Sequence, residues 1–201
     1  MQRSIRAPQQ ERSKQRVAAL LDAAADEFAE RGYTAATTTN VAARAGVPVG
    51  SLYQWFPDKE ALVTGLAYRH LDQGTQILLA ALGRAEAAPD LESCVRVLVE
   101  ATVEANSGDP RVHRILYREA PRPPEIQARL VTLEDALTTW VADELARRGA
   151  TGQPAPILRA RTLVLTVEAL VHELVLDPPA GVSRQAAIDE VVTAALAVAR
   201  A

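Results

Sequence analysis

The side chains best suited to chemistry crowd into residues 46–62, GVPVGSLYQWFPDKEAL. Tyr53, Trp55 and Phe56 stand within four residues of one another, in a chain with only two Trp, four Tyr and two Phe in all. Around them are the hydroxyl of Ser51, the carboxamide of Gln54 and the ammonium of Lys59. These groups donate and accept hydrogen bonds; nothing beside them would activate a nucleophile. The three histidines are scattered at 70, 113 and 172. His172 and Glu173 are adjacent, so on a helix they point in different directions. No HExxH, glycine-rich phosphate loop or paired-cysteine motif is present. A helical enzyme would need such a constellation, so the chemistry on offer is recognition rather than catalysis.

Elements must hold these groups in place. Val17, Leu20, Leu21, Ala24, Ala25 and Phe28 repeat at helical spacing and predict a helix over about residues 12 to 31, stopped by Gly32. Thr37 is placed to cap a second helix whose buried face is Val41, Ala42 and Ala45. Gly46 should end it in a left-handed conformation. Pro48 then opens a third helix, where a missing N–H costs nothing. Leu52 and Phe56 are four residues apart and face inward together, which turns Ser51, Tyr53 and Gln54 elsewhere. Pro57 stops this helix, and Asp58 caps one that can run to about residue 86. Helix, glycine-containing turn and short helix make a helix-turn-helix pattern. The short helix is not stable alone and depends on its two anchors.

The rest of the chain bounds the fold class. Of the 201 residues, 48% are apolar, Ala, Leu and Val are abundant, and Phe and Tyr are scarce, which favours helices. Long amphipathic helices are expected over about residues 90 to 106 and 125 to 149, with a final pair after residue 156. The expected architecture is all-α: a disordered basic arm (1–11), a three-helix helix-turn-helix domain (12–57) and a larger helical domain (58–201). Cys94 is the only cysteine, so no internal disulfide or multi-cysteine zinc site is expected, nor any cofactor. There is no apolar signal segment and no charge-free apolar run long enough for a membrane, so the location is expected to be cytoplasmic. Residues 1–59 carry eight Lys/Arg against six Asp/Glu, a net +2, which leaves −5 on the remainder of a chain of net charge −3. A positive front and acidic rear suit a polyanionic partner.

The block TTTNVAARAGVPVGSLYQWFPDKEAL strongly resembles the DNA-binding segment of the TetR family of transcriptional regulators, and the likeness extends over about residues 12 to 65. Its most specific part is the spacing G-S-L-Y-x-x-F-x-x-K-E-x-L. The chain departs from the usual pattern at Ala36 and Trp55. The resemblance implies that Pro48, Val49, Gly50, Ser51, Tyr53, Gln54 and Trp55 enter the major groove of a double-stranded operator. On physical grounds, Gln54 suits adenine, Val49 a thymine methyl group, and Gly50 lets the backbone come close. Tyr53, Trp55, Thr37, Thr39 and Lys59 are then the candidates for phosphate contact. Arg12, Lys14 and Arg16 add charge.

Family members act as homodimers on palindromic sites and hold a small-molecule effector in the rear domain. That analogy assigns Leu163, Val167, Leu170, Leu174, Ile188, Val192 and Leu196 to the dimer interface. His113, Tyr117, Trp140 and His172 are the candidates to line an otherwise apolar pocket, with His70 in reserve. The implied function is a ligand-responsive repressor. The competing reading is a DNA-binding architectural protein without an effector.

Overall fold

The computed structural model describes residues 6–108, 110–149 and 155–200, with the side chains of residues 6–10, 110 and 111 excepted. Every regular element among them is helical. The chain divides into two compact units, Met1–Arg69 with Asp109–Pro123, and His70–Gly108 with Pro124–Ala201.

In the first unit, α1 (Arg6–Ala35) is broken at Gly32, whose φ of 72° and ψ of 164° no helix allows. α2 (Thr38–Arg44) and α3 (Val49–Tyr53) follow, and α4 (Lys59–Glu86) begins here. The disordered arm was expected to reach residue 11, yet α1 starts at Arg6, and residues 1–5 lie outside the described residues. Pro8 falls in the first turn, where N–H groups have no intrahelical partner, and Gln9, Gln10 and Glu11 are good helix formers. Leu20 and Phe28 of α1, Val41 of α2 and Leu52 of α3 are sealed in one core. Leu62 and Leu66 of α4 join it, so the boundary lies inside α4 and not before it.

The segment α6 (Pro110–Arg114) and the π-helical turn Ile115–Glu119 also belong to this unit. Val112 and Ile115 are buried in its core, which draws the segment away from the rear domain to which the sequence assigned it.

The second unit packs the later part of α4 with α5 (Leu91–Asn106), α7 (Pro124–Arg147), α8 (Pro156–Leu170) and α9 (Arg184–Arg200). A π-helical turn, Val171–Val175, extends α8. Asp90 caps α5 by accepting from the Ser93 N–H at 2.7 Å. Arg96 of α5 reaches Asp189 of α9 at 2.7 Å, and Arg161 of α8 reaches Asp135 of α7 at 2.5 Å. Arg148 closes the end of α4 by donating to the carbonyls of Ala85 and Ala88, each at 3.0 Å. Its Nε is held at 2.5 Å by the buried carboxylate of Glu144. Among the described residues, no helix is long and apolar enough to cross a membrane.

Within the final helices, the assignment of Leu163, Ile188, Val192 and Leu196 to a dimer interface needs correction. Leu163, Ile188, Val192 and Leu196 are only 4%, 9%, 2% and 8% exposed within one protomer. Side chains with so little accessible surface have almost none to bury against a partner. Holding α8 and α9 to their own unit uses these apolar faces first. Val167, Leu170 and Leu174 are half-buried against the same core. The outward face of α8 instead carries Leu158 and Leu165, 57% and 46% exposed, with Thr162 and Ala169 on the same stripe.

Candidate nucleic-acid interface and internal cavity

The helix-turn-helix is built from its turn outward. Thr37 caps α2 through its hydroxyl, which accepts from the Asn40 N–H at 3.2 Å. Gly46, at φ 67°, lets the chain reverse after α2. The Val47 N–H then returns to the Ala42 carbonyl at 3.0 Å. Pro48 sits one position earlier than expected, as the N-cap of α3, and its carbonyl accepts from the Ser51 N–H at 2.8 Å. Leu52 has no exposed surface and Phe56 has 8%. They pin α3 to the core and leave Val49, Tyr53 and Trp55 exposed at 39%, 48% and 41%. Gly50 and Gln54 are also exposed, and Ser51 is half-buried. A β-carbon built on Gly50 would meet nothing within 4 Å, so no internal packing demands a glycine there. Thr37 and Thr39 are exposed, while Thr38 is half-buried and its Oγ1 lies 2.9 Å from the Tyr53 hydroxyl.

Lys59 has a different task from the one the sequence suggested. Its ammonium donates to the carbonyls of Tyr33, Thr34 and Ala36 at 2.7, 3.2 and 3.3 Å. It also lies 4.4 Å from the centre of the Tyr33 ring. These carbonyls stand at and just past the end of α1, where no further helical N–H follows, and Lys59 closes them, as Arg148 does for α4. Lys59 thus fixes α4 against the end of α1, a role that the sequence does not suggest. Burial, together with the charges of Glu60 and Asp58, pushes the Tyr33 phenol above its ordinary pKa.

Sequence reasoning missed a polar core beneath this surface. Glu27 is 1% exposed and accepts from Asn40 Nδ2 at 2.9 Å. Arg31 and Arg44 approach the same carboxylate at 3.2 and 3.4 Å. Arg44 also pairs with Glu30 at 2.5 Å. The network locks α2 to α1 by hydrogen bonds as well as by apolar contact. A signal existed: Glu27 falls on the apolar stripe of α1, three residues after Ala24 and seven after Leu20.

The predicted pocket residues do not gather. His113 and Tyr117 belong to the first unit, where their rings stack 5.4 Å apart and Arg122 lies 4.8 Å from the Tyr117 ring. They are therefore corrected from rear-domain pocket residues. Trp140 is half-buried against the second core. His172 is 4% exposed and bonds through Nε2 to Glu168 at 2.8 Å. Within the second unit a cavity of ≈ 80 Å³ is walled by Leu78, Leu98, Leu137 and Val167, with Thr102, Asn106 and Glu168 among its polar lining. None of the expected residues is in its described lining; His172 reaches it through Glu168 and His70 through Asn106. His70 lines a separate cleft of ≈ 600 Å³ with Gln73, Arg84 and Glu104. His70 pairs with Asn106, and burial pushes its pKa below the ordinary histidine value, helped by His172 and opposed by Asn106 and Glu168.

Comparison with known proteins agrees with this geometry. Residues 20–66 match the model of the bacterial regulatory proteins of the tetR family, and residues 90–197 match the tetracyclin repressor-like C-terminal domain. The chain is 29% identical over 179 residues to the HTH-type transcriptional activator FasR of Mycolicibacterium smegmatis, covering 88% of this chain and 78% of FasR. It is 47% identical over 53 residues to the HTH-type transcriptional repressor KstR2 of Rhodococcus jostii, covering 26% of each. A TetR-like transcriptional regulator from Rhodococcus sp. RHA1 shares the fold, with a TM-score of 0.62 at 23% identity, covering 90% of this chain and 93% of the other. With a matching helix-turn-helix in front and a matching helical domain behind, the chain belongs to the TetR family of transcriptional regulators.

Proposed function

We propose that the chain acts as a homodimer on a palindromic operator and is released from it by a small-molecule effector, which makes it a repressor. The observation that carries the DNA-binding half is the division of α3. Leu52 is sealed inward, while Val49, Gly50, Tyr53, Gln54 and Trp55 face solvent. Gln54 reads adenine through its paired donor and acceptor, and Val49 covers a thymine methyl group. Gly50, Pro48 and Ser51 admit the backbone to the groove. Tyr53 and Trp55 donate to phosphates, with Thr37 and Thr39 beside them. Lys59 acts indirectly, by holding α4 to the end of α1. α3 holds no cation, so Arg12, Lys14 and Arg16, all exposed on α1, supply the charge.

The exposed α8 stripe with Leu158 and Leu165 supports dimerisation through that face. Two half-sites would then lie about 34–36 Å apart, or a multiple of it. The cavity in the second unit supports an effector. FasR, which matches across most of the chain, is named an activator, and that favours a second reading with the same DNA contacts but an operator upstream of the promoter.

The test is selection of bound fragments from genomic DNA, followed by anisotropy titrations of the selected site and a reporter assay. A palindrome bound by the wild type and lost on Gln54→Ala with Tyr53→Ala supports the proposal. Fragments without shared sequence would favour an architectural protein instead.

A further inference from the structure

We propose that the cavity of the second unit takes a slim aliphatic molecule whose head group donates hydrogen bonds, an alcohol or an amine, and that it discriminates against the corresponding carboxylate. This rests on the reading of that cavity as the effector site.

The wall contributed by α5 changes character along its length. Val95 and Leu98 are apolar, and Thr102 and Asn106 continue the same stripe as polar groups. Two of their three donor hydrogens are engaged within α5. The Thr102 hydroxyl donates to the Leu98 carbonyl at 2.9 Å, and Asn106 Nδ2 donates to the Thr102 carbonyl at 2.9 Å. Toward a ligand Thr102 retains lone pairs, while Asn106, whose oxygen also serves His70, retains one N–H. Glu168 gives one oxygen to His172 at 2.8 Å and keeps its second oxygen as an acceptor. Among the described residues, no lysine or arginine lines the cavity.

The polar pole thus offers more acceptors than donors and carries the negative charge of Glu168. A hydroxyl or ammonium finds partners in it. A carboxylate would bring a second negative charge beside Glu168, whose side chain is 41% exposed, with no lysine or arginine among the described lining residues to offset it. Burial favours an uncharged His70 behind Asn106, so that side adds no compensating charge at neutral pH. At ≈ 80 Å³ the cavity is well below the range of about 300–1,000 Å³ typical of drug-sized ligands, which selects a short, unbranched chain.

The test uses the full chain and three probes of equal chain length, 1-hexanol, hexylamine and hexanoate, by calorimetry at pH 7.5. Hexanol and hexylamine should bind, with hexanoate weaker by at least about tenfold. Glu168→Gln keeps an acceptor toward His172 and removes the charge, and it should shrink the gap between hexanol and hexanoate. Val167→Trp fills the cavity and should abolish binding, which locates it. Hexanoate binding as tightly as hexanol, or a gap unchanged in Glu168→Gln, overturns the head-group assignment while leaving an effector site in place. Failure of all three probes overturns the effector reading as well.

Discussion

The hydroxyls of Thr38 and Tyr53 lie 2.9 Å apart and join the first turn of α2 to the end of α3. Tyr53 nonetheless keeps 48% of its surface exposed, so its hydroxyl stays within reach of an incoming phosphate oxygen. The pair orients the phenol before DNA arrives, which lowers the ordering cost of the contact. Tyr53→Phe should weaken operator binding by about tenfold, as expected for one lost hydrogen bond to a charged group, and should barely change the thermal midpoint. Anisotropy titration beside a melting curve checks both; full affinity would reduce the hydroxyl to an internal tie.

Lys59→Ala removes an ammonium that closes three carbonyls. The loss should be about 2 kcal/mol of stability, seen in urea unfolding. The salt dependence of DNA binding should stay the same, because the ammonium is directed at the protein's own carbonyls and not at a phosphate. A salt slope lower by about 1 would show that the ammonium also meets a phosphate.

Two glycines of α4 should answer alanine in opposite ways. A β-carbon on Gly65 would come within 2.9 Å of Leu21 Cδ2 and 3.0 Å of Phe56 Cε1. Gly65→Ala should therefore destabilise by about 1–3 kcal/mol through overpacking against an α3 anchor. At Gly74 the nearest atoms, both of Ala105, lie at an ordinary 3.5 Å. Gly74→Ala should stabilise by up to about 1 kcal/mol from helix propensity alone. Chemical denaturation of the two variants decides; equal effects would contradict the packing argument.

His70 sets a pH dependence of known sign. Its folded-state pKa lies below the ordinary 6.5, first through burial and then through His172, with Asn106 and Glu168 acting the other way. The unfolded chain binds the proton more readily. This contribution to stability is complete above pH 6.5 and is lost as pH falls from 6.5 toward the folded value. His70→Gln should flatten that part of the stability profile. A variant with the wild-type slope below pH 6.5 would place the proton uptake elsewhere.

The front of the molecule was legible because its signals are local. Gly46, Pro48, Leu52 and Phe56 each act on their own turn or helix, and all four behave as their types require. The rear was less so, because helical spacing marks an apolar face without saying what covers it. Leu163 and Val192 carried such a signal and proved to be core, whereas the exposed Leu158 and Leu165 lie on the opposite face of the same kind of helix. Lys59 was read incompletely for a related reason: its three acceptors are backbone carbonyls left over where α1 ends, and a sequence does not print where carbonyls are left over. His113 and Tyr117 were misassigned because two buried residues, Val112 and Ile115, decide which unit their segment joins.

The short helix VGSLY holds no ionisable side chain other than a phenol. On the proposed reading, the choice among sequences and the neutralisation of phosphate charge are then carried by separate parts of the chain. Added salt would loosen every site by a common factor and leave their ranking intact, so a preference measured in dilute buffer would carry over to the ionic strength of a cell.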